Sequence, residues 1–139
     1  MENQIESLIP HRYPFLFVDS IESTSVEEIV GFKTFRSIGD EFVKGSFPES
    51  GFIPGMILIE SMAQCGGAGI KILGLTNGFF ALVSLQEVRF YKGVNYDEKV
   101  KYVINNLRVS DRLIKQSGIA YSNGEKVAEA SWVCAKLAN

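Results

Sequence analysis

A chain of 139 residues with 14 Lys and Arg against 16 Asp and Glu carries a formal net charge of −2. That leaves no basic excess for binding nucleic acid. The length suits one domain over residues 1–139 with one hydrophobic core, and 10 phenylalanines supply bulky apolar material for it.

The acidic start, Met1-Glu2-Asn3-Gln4-Ile5-Glu6, lacks the basic residues and apolar run of a signal peptide. A cytoplasmic location is expected. Between Pro10 and Pro14 the segment His11-Arg12-Tyr13 should be extended or turned, because proline restricts both its own φ and its predecessor. Phe15-Leu16-Phe17-Val18 then reads as the start of a buried strand. Residues 26–36 mix β-branched and aromatic side chains with charges, as a half-exposed strand does. Gly39-Asp40-Glu41 is a turn signal.

Lys44-Gly45-Ser46-Phe47-Pro48 and Phe52-Ile53-Pro54-Gly55 read as a loop that turns at Pro54-Gly55 and enters the one long helix, residues 54–74. That helix is apolar almost all round, which predicts burial, and at about 1.5 Å per residue it spans roughly 30 Å. Glu60, Gln64 and several glycines interrupt the apolar run, so it is not read as a membrane span. Gly66, Gly67 and Gly69 lower helix propensity and make sense where a sheet approaches the helix backbone. Glu60 and Gln64 lie four apart and share one face. A buried carboxyl such as Glu60 needs a reason, since an unpaired buried charge is costly and shifts its pKa instead.

Beyond Asn77-Gly78 come strands at regular spacing: residues 79–90, 99–109, 113–121 and 126–135. Ser122-Asn123-Gly124-Glu125 predicts a type I′ hairpin turn. Ala128, Ala130, Trp132 and Cys134 should share one face of the last strand. One buried helix and five or six mostly antiparallel strands make an α+β fold, a curved sheet wrapped around the helix. Cys65 and Cys134 lack metal-ligand spacing and read as reduced thiols. No cofactor and no metal are expected.

Three motifs in order carry a resemblance. They are Ile9-Pro10-His11-Arg12-Tyr13-Pro14-Phe15-Leu16-Phe17-Val18-Asp19; then Gly45-Ser46-Phe47-Pro48 with Pro54-Gly55, Glu60 and Ala63-Gln64; then Val88-Arg89-Phe90. Together they resemble the FabZ-type 3-hydroxyacyl-[acyl-carrier-protein] dehydratases over almost the whole chain. The resemblance implies a hotdog fold and elimination of water from a thioester carried on acyl carrier protein or coenzyme A. In that family a histidine removes the C2 proton, a carboxyl protonates the departing 3-hydroxyl, and a helix-start glycine N–H polarises the carbonyl. Histidine suits the base role because its pKa lies near working pH, and a carboxyl in an apolar setting can stay protonated and act as acid. Free N–H groups at a helix start suit an oxyanion, and an aimed donor is worth roughly 3–4 kcal/mol.

Carried over, the resemblance makes Gly55 the carbonyl-binding glycine and Glu60 the acid. Ser46 stands where the family has its histidine. A serine hydroxyl without an activating partner is a poor base, and losing a positioned base costs on the order of 10²–10⁴ in rate. Glu49 and Gly51 also replace residues that are usually glycine and proline there. The family builds each site from the base of one subunit and the acid of another, which implies a homodimer or a heterodimer with a histidine-bearing homologue. Three readings follow: an active dehydratase that compensates for Ser46, a subunit supplying Glu60 to such a heterodimer, or an inactive subunit that binds acyl thioesters or carrier protein, or scaffolds. A hotdog thioesterase, with a carboxylate activating water, fits the spacing least.

Gln64 reads as a hydrogen-bond support beside substrate, and Phe79 and Phe80 as the lining of an acyl tunnel or as plain core. His11, the sole histidine, reads as structural, with a replacement base as the alternative. Arg89, Lys92, Lys99, Lys101, Arg108, Arg112 and Lys115 form either a solvated strand face or a patch that steers an acidic carrier protein.

Overall fold

The computed structural model describes residues 2–138. A short helix α1 (Glu2–Glu6) precedes β1 (Ser20–Thr24) and β2 (Glu28–Thr34), and a 3₁₀ turn (Glu41–Gly45) leads toward the long helix α2 (Gly55–Leu73). Then come β3 (Phe80–Phe90), β4 (Lys99–Val109), β5 (Leu113–Ser122) and β6 (Glu125–Lys136). The strands form one antiparallel sheet in the order β1-β2-β4-β5-β6-β3. This is the expected hotdog architecture, with the helix against the concave face. Asn123 and Gly124 both take positive φ, 52° and 76°, as a type I′ turn between β5 and β6 requires.

The core joins helix to sheet. Ile59, Met62, Cys65 and Ile70 of α2 are buried with Tyr102, Ile104 and Trp132 of the sheet. The helical glycines answer the expectation unequally. A Cβ on Gly69 would lie 2.6 Å from Ile29, and one on Gly66 would lie 2.4 Å from Gln116, whereas one on Gly67 would meet only Ile9, at 3.8 Å. Close packing therefore demands glycine at 69, against the branched stem of Ile29, while a Cβ at 66 would have to displace the end of the Gln116 side chain. Burial of α2 is one-sided, since Met56 and Ile72 are 54% and 47% exposed. By length and composition α2 could cross a membrane; here its buried face packs on the sheet.

Two strand expectations need correction. Phe15-Leu16-Phe17-Val18 is not a strand; ladder pairing starts at Asp19, whose N–H donates to Phe32 O at 3.0 Å. Side chains of the helix hold those backbone groups instead. Phe17 N–H donates to Gln64 Oε1 at 2.8 Å, Phe17 O accepts from Ser61 Oγ at 2.7 Å, and Phe15 O accepts from Gln64 Nε2 at 3.1 Å. The strand in 26–36 is also more buried than expected. Lys33 is only 8% exposed in its side chain and lies between Asp19 (3.4 Å) and Asp40 (3.6 Å).

Candidate active site

Glu60 sits one turn into α2, on the face that does not press on the sheet's centre. Its side chain is 25% exposed. The full burial expected for it is corrected: the carboxyl borders a cavity of about 380 Å³ instead. That volume lies within the range of small-molecule sites, about 300–1,000 Å³. Glu60, Gln64, Gly67 and Lys71 form the helix wall of the cavity, a stretch of about 16 Å at 1.5 Å per residue. Gly67 has no side chain, which keeps the middle of that wall open. Phe79 and Phe80 also line the cavity, and Gln116 and Cys134 reach in from β5 and β6. At the Lys71 end the ammonium donates to Gly78 O at 3.1 Å and lies over the Phe79 ring.

Gln64 is locked in place. Besides its bonds to Phe15 and Phe17, its Nε2 donates to Glu60 Oε2 at 2.9 Å. The two side chains therefore share one face of the helix. His11 Nε2 approaches the same oxygen at 3.5 Å. The other ring nitrogen, His11 Nδ1, is buried without a hydrogen-bond partner. Burial holds the imidazole below its ordinary pKa; the Glu60 carboxylate pulls it back up and Arg12 pushes it further down. Burial, with Glu60 adding to it, pushes the Cys134 thiol up to about 11. Both cysteines are free thiols.

Ser46 and Gly55 stand apart from this cavity. Ser46 is exposed at the end of the 3₁₀ turn. Gly55 opens α2 behind Pro54, and no side chain caps that end; the Ile57 and Leu58 N–H groups donate to Pro54 O at 2.9 and 3.4 Å. A Cβ on Gly55 would lie 2.6 Å from the Phe90 ring, which is 50% exposed, so a side chain there requires that ring to move. Gly51 has φ of 76°, a value proline cannot take. The loop from Ser46 to Gly51 therefore follows a path that a proline at 51 would not allow.

The sequence did not reveal the pairing of His11 with Glu60, nor that Gln116 and Cys134 share their cavity. No linear spacing announces a contact between an N-terminal motif and the middle of a helix. The basic residues of 89–115 are scattered. Lys92 pairs with Glu125 at 2.9 Å, Arg89 lies opposite Glu129, and Lys99 and Lys101 flank Phe32 and Tyr121 in a groove on the outer face.

A six-stranded antiparallel sheet wound around helix α2 defines a hotdog fold, and a carboxyl from that helix borders its cavity. Residues 9–131 match the FabA-like domain. The 3-hydroxyacyl-[acyl-carrier-protein] dehydratase FabZ of Thermotoga petrophila is 35% identical over 126 residues, covering 91% of this chain and 90% of that protein. The FabZ of Xanthomonas oryzae pv. oryzae is 37% identical over 139 residues, covering 96% and 90%. Among solved structures, the dehydratase heterocomplex ApeI:P from Xenorhabdus doucetiae superposes with a TM-score of 0.84 at 17% identity, over 97% of this chain and 91% of that one. A hypothetical thioesterase protein with coenzyme A from Streptococcus pneumoniae gives 0.67 at 12% identity, over 99% and 94%. The chain belongs to the FabA-like family, as a relative of the FabZ dehydratases.

Proposed function

We propose that this protein is a dehydratase subunit for 3-hydroxyacyl thioesters, and that it contributes Glu60 as the acid to a site whose base is the histidine of a homologous partner. The observation that carries this reading is the division of labour within the chain. Glu60 faces the cavity, held by Gln64, while position 46 offers only an exposed serine. The single histidine is already beside Glu60.

The partner's base takes the C2 proton, and that electron pair becomes the C2=C3 double bond. The C3–O bond breaks, Glu60 gives its proton to the departing oxygen, and water leaves. A helix-start glycine N–H steadies the thioester oxygen as charge gathers there. The acyl chain lies along the cavity past Phe79 and Phe80. The relatives' name points to acyl carrier protein as the thioester carrier, with coenzyme A as the simpler substitute. A chain of this fold occurs in a dehydratase heterocomplex, so the architecture is compatible with a mixed pair.

Co-expression with a homologue that carries an intact Gly-His-Phe-Pro motif tests the proposal. The pair should co-purify and dehydrate a 3-hydroxyacyl thioester, while this chain alone turns over slowly. Glu60→Gln keeps the shape but removes the acid proton, and should abolish most of the mixed activity. Alanine in place of the homologue's histidine should do the same, whereas the homologue's own carboxylate should matter little. Failure to co-purify, or full activity with Glu60→Gln, would leave a non-catalytic thioester-binding role.

A further inference from the structure

The imidazole of His11 does nothing in the chemistry just described, yet it is packed against the acid that does. Its Nε2 is 3.5 Å from Glu60 Oε2, and it lines the same cavity. Its ring stacks on Phe15, with centroids 6.5 Å apart.

We propose that His11 is a positioning residue for Glu60: a neutral imidazole that joins Gln64 in offering N–H donors to one carboxylate oxygen, so that the other oxygen carries the proton toward substrate. This rests on the reading of Glu60 as the acid.

The unpartnered Nδ1 is the informative atom. An imidazolium would carry a proton on both nitrogens and would bury an N–H with no acceptor, at the full desolvation cost of an unmade bond. The neutral ring with its proton on Nε2 leaves only a bare acceptor there and turns its donor to Glu60. The charged surroundings favour the same state. Arg12, on the same segment, donates to Ile9 O and His11 O and lies 3.9 Å from Glu6; its positive charge opposes a second one on the ring. Across the cavity Cys134 is a neutral thiol at physiological pH, and Lys71 is turned to Gly78 O and the Phe79 ring. Glu60 is thus the acidic group that faces His11 in this cavity.

The consequence lies on the product side of the proton transfer. When Glu60 gives up its proton, the new carboxylate finds Gln64 Nε2–H already at 2.9 Å and His11 Nε2–H a short movement away. Hydrogen bonds to an ionised acceptor are shorter and stronger than neutral ones. The two N–H donors therefore stabilise the carboxylate that forms when the proton leaves.

Because the chain has one histidine, its imidazole signals in nuclear magnetic resonance spectra are unambiguous. Titration of the full chain should show a midpoint below the ordinary 6.5, and ¹⁵N shifts should place the neutral proton on Nε2. Glu60→Gln should lower the midpoint further, since the carboxylate is what holds it up. A midpoint unmoved by Glu60→Gln, or a proton on Nδ1, overturns the proposal. In the mixed assembly, His11→Phe should cut kcat roughly tenfold, the loss of one donor to a charged group, and move the alkaline limb of the pH profile upward with little change in KM. His11→Gln, which restores an N–H donor, should recover most of that loss. An unmoved profile in His11→Phe also overturns it. If no mixed assembly turns over at all, the proposed function fails while the spectroscopic result still decides the pairing of His11 with Glu60.

Discussion

At the scale of single residues, the cavity and the core ask opposite things of neighbouring glycines. Gly69 faces Ile29, a side chain with no exposed surface, and an added methyl would sit 2.6 Å from it. Overpacking of this kind typically costs about 1–3 kcal/mol, which exceeds the roughly 1 kcal/mol of helix propensity that alanine gains over glycine. Gly67 faces the cavity, with its nearest neighbour at 3.8 Å. Gly69→Ala should therefore destabilise the protein by about 1–2 kcal/mol, and Gly67→Ala should stabilise it by up to about 1 kcal/mol while narrowing the cavity. Urea unfolding of both variants checks the opposite signs. The same exchange of alanine for glycine separates the two environments because only the neighbour differs.

At the scale of elements, helix α2 is attached to the N-terminal segment by side chains that satisfy its backbone. Gln64 makes three hydrogen bonds, two to Phe15 and Phe17 backbone groups and one to Glu60. Ser61 makes another to Phe17 O and in turn accepts from Tyr102 Oη at 2.7 Å. Gln64→Leu would keep the bulk and leave the Phe17 N–H without its acceptor. An unpaired buried group costs about 1–3 kcal/mol, so a loss of about 2–4 kcal/mol is expected with Phe15 O and Glu60 also released. Chemical denaturation reads the stability, and amide exchange at Phe17 should be faster than in the wild type. The capture also explains why an apolar stretch that reads as a strand is none: its donors and acceptors are spent on the helix before any strand can use them.

At the scale of the whole molecule, β3 ends the sheet and carries Leu82, Val83 and Phe90 at 38%, 60% and 50% exposure. An edge strand with exposed apolar side chains is a pairing site unless something covers it. A dimer through β3, whether of two copies or of this chain with a homologue, is the arrangement we propose. Val83→Lys puts a charge at that edge and should shift sedimentation from dimer toward monomer without unfolding the chain. A wild-type monomer at micromolar concentration would reject this interface.

Much of this was legible in the linear chain. The apolar run with its four-residue spacing of Glu60 and Gln64 located the helix and its polar face, and the regular spacing of later segments located β3 to β6. Asn123-Gly124 announced its turn because positive φ is a property of the residues themselves. The family motifs pointed to Gly55 and Glu60 and exposed the serine at 46. All these signals are local: periodicity, propensity and turn chemistry are written within a few residues of one another. Tertiary structure alone decided that His11 meets Glu60, that Lys33 is buried between Asp19 and Asp40, and that residues 15–18 serve the helix and not the sheet. Each depends on which distant groups arrive first at a backbone N–H, a carbonyl or a charge, and that competition is settled only when the sheet closes on the helix.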